Sequence, residues 1–201
     1  MDSIQLLLEV HARNHSSAAA KPAQGSNQQD GVLDGMTDAQ KRKIHLPGLN
    51  SIAWIVWHMA RSEDQGIHIA GGRKQVFEEG DWAAKLKIAD RNTGSGHSQD
   101  DVARVSAGIN LAALVAYRNA VGLRTREILK TLKPADLEAV PDMAAVKRAA
   151  SVGAFGEKPD MANIEKNWST RTKGYCISMY GITHNVGHWG EATTIKGFVT
   201  K

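Results

Sequence analysis

The stretch SIAWIVWHMARSEDQGIHIAGG, residues 51–72, constrains the fold more than any other part of the chain. Its first half is apolar nearly all round, so a helix here has no face to offer to water and must be enclosed by other elements. Asn50 or Ser51 can cap its start, and Gly71 with Gly72 ends it, which predicts a helix of about 20 residues. Something has to surround it on every side.

The rest of the sequence offers helices for that purpose. Ile4, Leu7 and Leu8 share a helical face that His11 and His15 continue, predicting a first helix over residues 2–19. The stretch KPAQGSNQQDGVLDG ends it, and a short helical turn opens at Thr37 before Pro47 and Gly48 break the chain again. Residues 73–97, with many glycines and charges around Phe77 and Trp82, read as a long ordered loop with one short helical turn. Ser98 and Asp101 form a capping-box pattern, with aspartate in the usual place of glutamate, that opens the longest predicted helix, 99–132, which Pro134 ends. A short helix near 143–150 precedes a last long one over 169–196. No alternating strand pattern and no repeat appears. The expected fold class is therefore all-α: a four-helix bundle with long connecting loops, one domain over residues 1–201.

Bulk properties narrow the function. The 25 Lys and Arg against 21 Asp and Glu give a formal charge of only +4, spread along the chain. The densest basic run, Lys41-Arg42-Lys43, is too short for a nucleic-acid stripe, and no nucleic-acid motif is present. No apolar run approaches the roughly 20 residues needed to span a bilayer. The start MDSIQLLLEVHARNHSSAAA, with its leucines and late alanine run, superficially resembles a signal peptide but is not expected to be one, since Asp2 replaces the positive n-region and Glu9, His11 and Arg13 interrupt the apolar stretch. Cys176, the one cysteine, cannot form an intrachain disulfide, which suits a reducing cytosol. The expectation is a cytoplasmic protein with a small-molecule partner and no membrane.

Chemistry concentrates near the end. In HNVGH, His184 and His188 lie four residues apart and point the same way from a helix, as metal ligands do. The glutamate of a zinc-protease HExxH helix is absent, and Asn185 stands in its place. Tyr180, Glu191 and Ile195 share that face, while Gly181, Gly187 and Gly190 leave room for a neighbouring element or a ligand. A pair of core histidines with satisfied hydrogen bonds is the alternative reading. His58, the lone titratable group amid Trp54, Ile55, Val56, Trp57 and Met59, needs either a metal or a hydrogen-bond acceptor. His11 and His15 form a competing i, i+4 pair in what reads as a more polar setting, with His11 able to line a pocket instead. His45, His68 and His97 read as solvated. A di-iron carboxylate bundle is excluded, since no Glu-x-x-His pair occurs.

GLNSIAWIVWHMARSEDQGI, followed much later by YGITHNVGHWGEATTIKG, resembles the DinB/YfiT-like superfamily. The resemblance runs over nearly the whole chain, through VFEEGDW and LAALVAYRNAV. It implies a four-helix bundle whose metal is held by one histidine on the second helix and two, spaced HxxxH, on the last. His58, His184 and His188 fall on those positions. It further implies a divalent transition metal, zinc or nickel, and allows a homodimer. Characterised members activate the thiolate of a low-molecular-weight thiol cofactor for transfer or isomerisation.

Three functions follow from these readings. The first is a metal-dependent S-transferase moving a thiol to an electrophile, with Tyr180, Glu191 or His11 orienting the substrate or moving a proton. The second is a metal-dependent hydrolase. The third is a noncatalytic, stress-associated ligand-binding bundle. Glu191, three residues beyond His188, is expected behind the ligands or facing the substrate rather than among the ligands, the alternative being a surface glutamate paired with Lys196 or another base.

Overall fold

The computed structural model describes residues 1–200. Helix α1 (Ser3–Asn14) is followed by the short α2 (Gln28–Leu33) and α3 (Asp38–Arg42), then by α4 (Ile52–Gly71). Two more short helices, α5 (Val76–Glu79) and α6 (Trp82–Leu86), lead to α7 (Gln99–Gly108) and α8 (Leu111–Thr131). A 3₁₀ turn at Pro134–Glu138, α9 (Met143–Ser151) and α10 (Met161–Ser169) precede the last element. That element is α11 (Lys173–Ser178), a π-helical turn at Met179–Thr183, and α12 (His184–Val199), running without a break. No strand occurs among the described residues, so the fold is all-α. None of the helices is long and apolar enough to cross a membrane.

α4 takes the central place its sequence demands. Every residue from Ile52 to Ala70 is buried. Ser51 Oγ accepts the Trp54 N–H at 3.0 Å to cap its start. At the other end Gly72 turns left-handed at φ 67°, and its N–H reaches the carbonyls of His68 and Ile69. α8 packs along one side, and α11, the π-turn and α12 run antiparallel along another. α1 closes over α8 and α12.

Two apolar clusters lie along α4. Trp54, Trp57 and Met59 join Val105, Tyr117 and Trp189 in the first. Ile67 and Ile69 join Ile128, Val146, Trp168 and Ile177 in the second. Between them α4 buries five polar residues in a row, Arg61, Ser62, Glu63, Asp64 and Gln65. Buried charges persist only when paired and hydrogen-bonded. Arg61 meets that condition through Asp64, Tyr117, Gln75 and the Arg91 carbonyl, which ties the 73–97 segment to the core. Asp64 in turn accepts the Val76 and Phe77 N–H groups at the start of α5, at 2.8 and 2.9 Å.

The expected long helices are not all unbroken rods. α1 stops at Asn14 rather than residue 19, because His15 turns extended and the Asn14 carbonyl accepts from Trp189 Nε1 at 2.8 Å and from Arg118 at 3.3 Å. The expected 99–132 helix breaks after Gly108: the Asn110 side chain caps α8 and its backbone N–H donates to the Leu86 carbonyl. Arg42 caps the exposed end of α7 by donating to the carbonyls of Ser106, Ala107 and Ile109. The 73–97 segment holds two helices instead of one turn, and α2 and α10 add to the expected set. The last helix starts at Lys173, capped by Thr172, and extends to Val199.

Candidate metal centre

Across the antiparallel contact of α4 with α12, His58 meets His184 and His188. The three imidazoles lie with ring centroids 4.5–4.9 Å apart, and His58 Nε2 is 3.1 Å from His184 Nε2. One ring nitrogen from each lies within 4.8 Å of the others.

Their hydrogen bonds decide which nitrogens face inward. His58 Nδ1 is 2.6 Å from the Thr93 carbonyl, which can only accept, so Nδ1 carries the proton and Nε2 is a bare lone pair. His188 Nδ1 is 2.8 Å from Glu191 Oε2, which places a proton on Nδ1 and makes Nε2 the lone-pair nitrogen of the neutral ring, the form that binds a metal. Burial raises the Glu191 carboxyl, but the bonds from His188 and from Asn50 Nδ2 (2.8 Å) outweigh it and hold the group ionised. His184 Nδ1 is buried without a hydrogen-bond partner. Burial pulls His58 down to about 4. Burial, then the facing rings of His58 and His188, pull His184 down to about 3. Both are neutral at pH 7, the form a metal needs. Two bare Nε2 lone pairs aimed at one small space repel unless a cation or a proton lies between them. The donor set therefore fits a divalent transition ion of the zinc or nickel kind.

Trp54 stacks on the His58 ring at 4.8 Å and 11°. Trp54 Nε1 donates to His97 Nδ1 at 3.3 Å, and His97 stacks in turn on Trp57. His97 is thus half-buried support for the His58 wall, not the solvated group expected from sequence. His45 is likewise half-buried, stacked on Phe198.

The competing pair forms a second grouping, in a setting that is polar but wholly buried. His11 and His15 are buried, stacked with centroids 4.3 Å apart, each with Nε2 2.8 Å from a Glu63 oxygen. Glu63 also accepts from Thr125 Oγ1 and Asn185 Nδ2, both at 2.8 Å, and Arg118 lies 3.9 Å away. Burial alone would raise the Glu63 carboxyl, but the two imidazoles and their bonds more than offset it. Burial pulls His15 down to about 3, so it donates as a neutral Nε2–H. These three residues also have metal-ligand spacing. Their carboxylate, however, already has a full set of donors and an arginine beside it. Sequence reasoning missed Glu63 and the buried His68, whose Nδ1 is 2.8 Å from Asp64. The available signal was charged residues on a helix with no solvent face.

Glycines place these groups, and of the three expected only Gly181 is closely approached. A Cβ on Gly66 would stand 2.2 Å from the Tyr180 ring, and one on Gly122 would stand 2.5 Å from His15 Nδ1. Gly181 lies against Ile67 and His11, whereas no neighbouring element approaches Gly187 or Gly190, which face open space.

Tyr180 stacks on Trp168 at 5.6 Å and lines a cleft beside the triad. The cleft, about 360 Å³, is bounded by Ser62, Gln65, Thr93, Phe155, Tyr180 and His184. His11 is not among its walls, so the structure brings Tyr180 and Glu191 to this centre and leaves His11 at Glu63. Cys176 is buried, and that burial raises its thiol to about 11.

A solved structure described as the conserved protein of locus from Enterococcus faecalis superposes with a TM-score of 0.68 at 20% identity, covering 100% of this chain and 98% of that one. That likeness supports the helical fold. No curated protein matches the sequence. The sequence pattern of the DinB superfamily matches residues 24–192, which include α4, the cleft and all three histidines. The chain belongs to the DinB superfamily.

Proposed function

We propose that this protein is a metal-dependent enzyme acting on a small molecule, with His58, His184 and His188 as the metal ligands. The favoured reaction is transfer of a low-molecular-weight thiol to an electrophile. The observation that carries the proposal is the pair of tautomers set by Thr93 and Glu191, which leave the Nε2 atoms of His58 and His188 bare beside His184, the one histidine of the three that lines the open cleft.

A divalent ion held there would lower the pKa of a coordinated thiol and so supply the thiolate nucleophile. The chain's own groups do the rest. Glu191 keeps the proton on His188 Nδ1 and adds negative charge that favours a cation. Phe155 and Tyr180 give the cleft an apolar wall, while Ser62, Gln65 and Thr93 offer neutral hydrogen-bonding groups to orient a polar substrate. In the transfer, a sulfur–carbon bond forms as the carbon–leaving-group bond breaks, the leaving group departs with the bonding pair, and the thiol proton passes to solvent.

The test uses protein purified without an affinity tag and loaded with zinc or nickel. It is offered a panel of low-molecular-weight thiols with monochlorinated or epoxide electrophiles. Consumption of the electrophile only when thiol and metal are both present supports the proposal. Metal-dependent turnover without thiol replaces it with a hydrolase. Tight ligand binding without turnover across the panel replaces it with a noncatalytic binding protein.

A further inference from the structure

We propose that Asn185, clamped between Glu63 and the Gly181 carbonyl, is the positioning residue that sets how His184 and His188 face His58. The inference rests on the reading of those three histidines as one site.

Asn185 takes the place that a zinc-protease helix gives to its catalytic glutamate, yet it is fully buried and turned away from the cleft. Its side-chain Nδ2 donates twice, to Glu63 Oε2 at 2.8 Å and to the Gly181 carbonyl at 3.2 Å. Each acceptor fixes a different freedom. Gly181 lies inside the π-turn, where the helix ladder slips by one residue and His184 N–H bonds to the Met179 carbonyl. Such a turn changes the rotation of whatever follows it by a large part of one residue's 100°. The bond to Gly181 ties the first turn of α12 to that slipped segment. The bond to Glu63 ties the same turn to α4, five residues along from His58.

Glu63 is itself fully buried and bonded from several sides. Its other donors come from His11 and His15 at the end of α1 and from Thr125 on α8, so the carboxylate is a fixed point shared by four elements. The contacts between α4 and the last helix form an antiparallel ladder: Ile67 against Gly181, Gly66 against Tyr180, Glu63 with Asn185, and His58 with His184 and His188. In that ladder the Glu63–Asn185 rung is the directional one, lying next to the histidines. A ligand constellation works only if held to within about 0.5 Å and 10–20°. A rotation of α12 by that angle would carry both imidazoles off the common point together, because they share one face.

The test compares Asn185→Ala with Thr125→Val in the full chain. Thr125→Val removes a donor from the same carboxylate without touching α12, so it lowers stability and serves as the control for a purely structural role. Glu63→Gln, nearly isosteric, replaces Asn185→Ala should that variant not fold. In the metal-free proteins, long-range ¹H–¹⁵N spectra of the imidazoles report the tautomer and environment of His184 and His188. Zinc affinity by chelator competition and the visible spectrum of the cobalt form are read at a temperature where circular dichroism shows every variant folded. The expected result is displaced His184 and His188 signals, zinc affinity about 10–100-fold weaker and an altered cobalt spectrum for Asn185→Ala, with Thr125→Val like wild type in all three. Unchanged imidazole signals in folded Asn185→Ala, or equal changes in Asn185→Ala and Thr125→Val, would overturn the proposal. Should wild type bind no metal, the metal reading falls alone, and the imidazole signals still decide the role of Asn185.

Discussion

Glu191 Oε2 accepts from His188 Nδ1 at 2.8 Å, and its other oxygen accepts from Asn50 Nδ2 at the same distance. A carboxylate one turn along the helix thus fixes the ring of a candidate ligand and is itself held from the segment before α4. Replacing Glu191 by Gln keeps the shape and removes the charge. Zinc affinity should fall by about 10–100-fold, with the helical circular dichroism unchanged. Chelator competition on the folded variant makes the comparison, and wild-type affinity would assign Glu191 to the surface.

The buried imidazoles make stability depend on pH. His58 near 4, and His15 and His184 near 3, lie below the 6.5 expected in an unfolded chain. A histidine depressed in this way contributes stability above its unfolded value. That stability is lost as pH falls from 6.5 toward the folded value, because only the unfolded state takes up the proton. Each group contributes at most about 1.4 kcal/mol per pH unit over that window. Urea unfolding of the chelated protein should show a falling midpoint between pH 7.5 and 5. A midpoint flat over that range would mean that these rings are hydrated.

Tyr180 owes its position to Gly66. Since a Cβ there would stand 2.2 Å from the phenol ring, Gly66→Ala must move the ring or part the helices. The overpacking cost is about 1–3 kcal/mol. Denaturant titration should show that loss, and the Tyr180 stack on Trp168 should change in near-ultraviolet circular dichroism. An unperturbed, equally stable variant would mean that the contact between α4 and the π-turn is loose.

How much was legible in the sequence varies by residue. The 51–72 helix was readable because apolar residues on every side admit one solution, a surrounded helix, and the spacing of His184 and His188 made their common face plain. The break at Asn110 had only a short signal, Gly108 with Asn110 two residues on, and the groups that end the helix lie far away in sequence. What ends α7 is an arginine from α3 and a distant carbonyl at Leu86. The π-turn was hidden for the same reason, as its five residues carry no breaker other than Gly181. His11 and His15 looked polar because their sequence neighbours are. Their real surroundings come from α4 and α8, around a carboxylate that periodicity alone cannot place.

The measurement that tests the central claim most directly is metal content per chain, determined by elemental analysis after tag-free purification and saturation with zinc followed by dialysis. Wild type should retain one equivalent. His58→Ala, His184→Ala and His188→Ala should each lose most of it, while His45→Ala and the folded fraction of His11→Ala should keep it. Retention of the full equivalent by His188→Ala, or its loss in His11→Ala alone, would contradict the account and move the ion elsewhere.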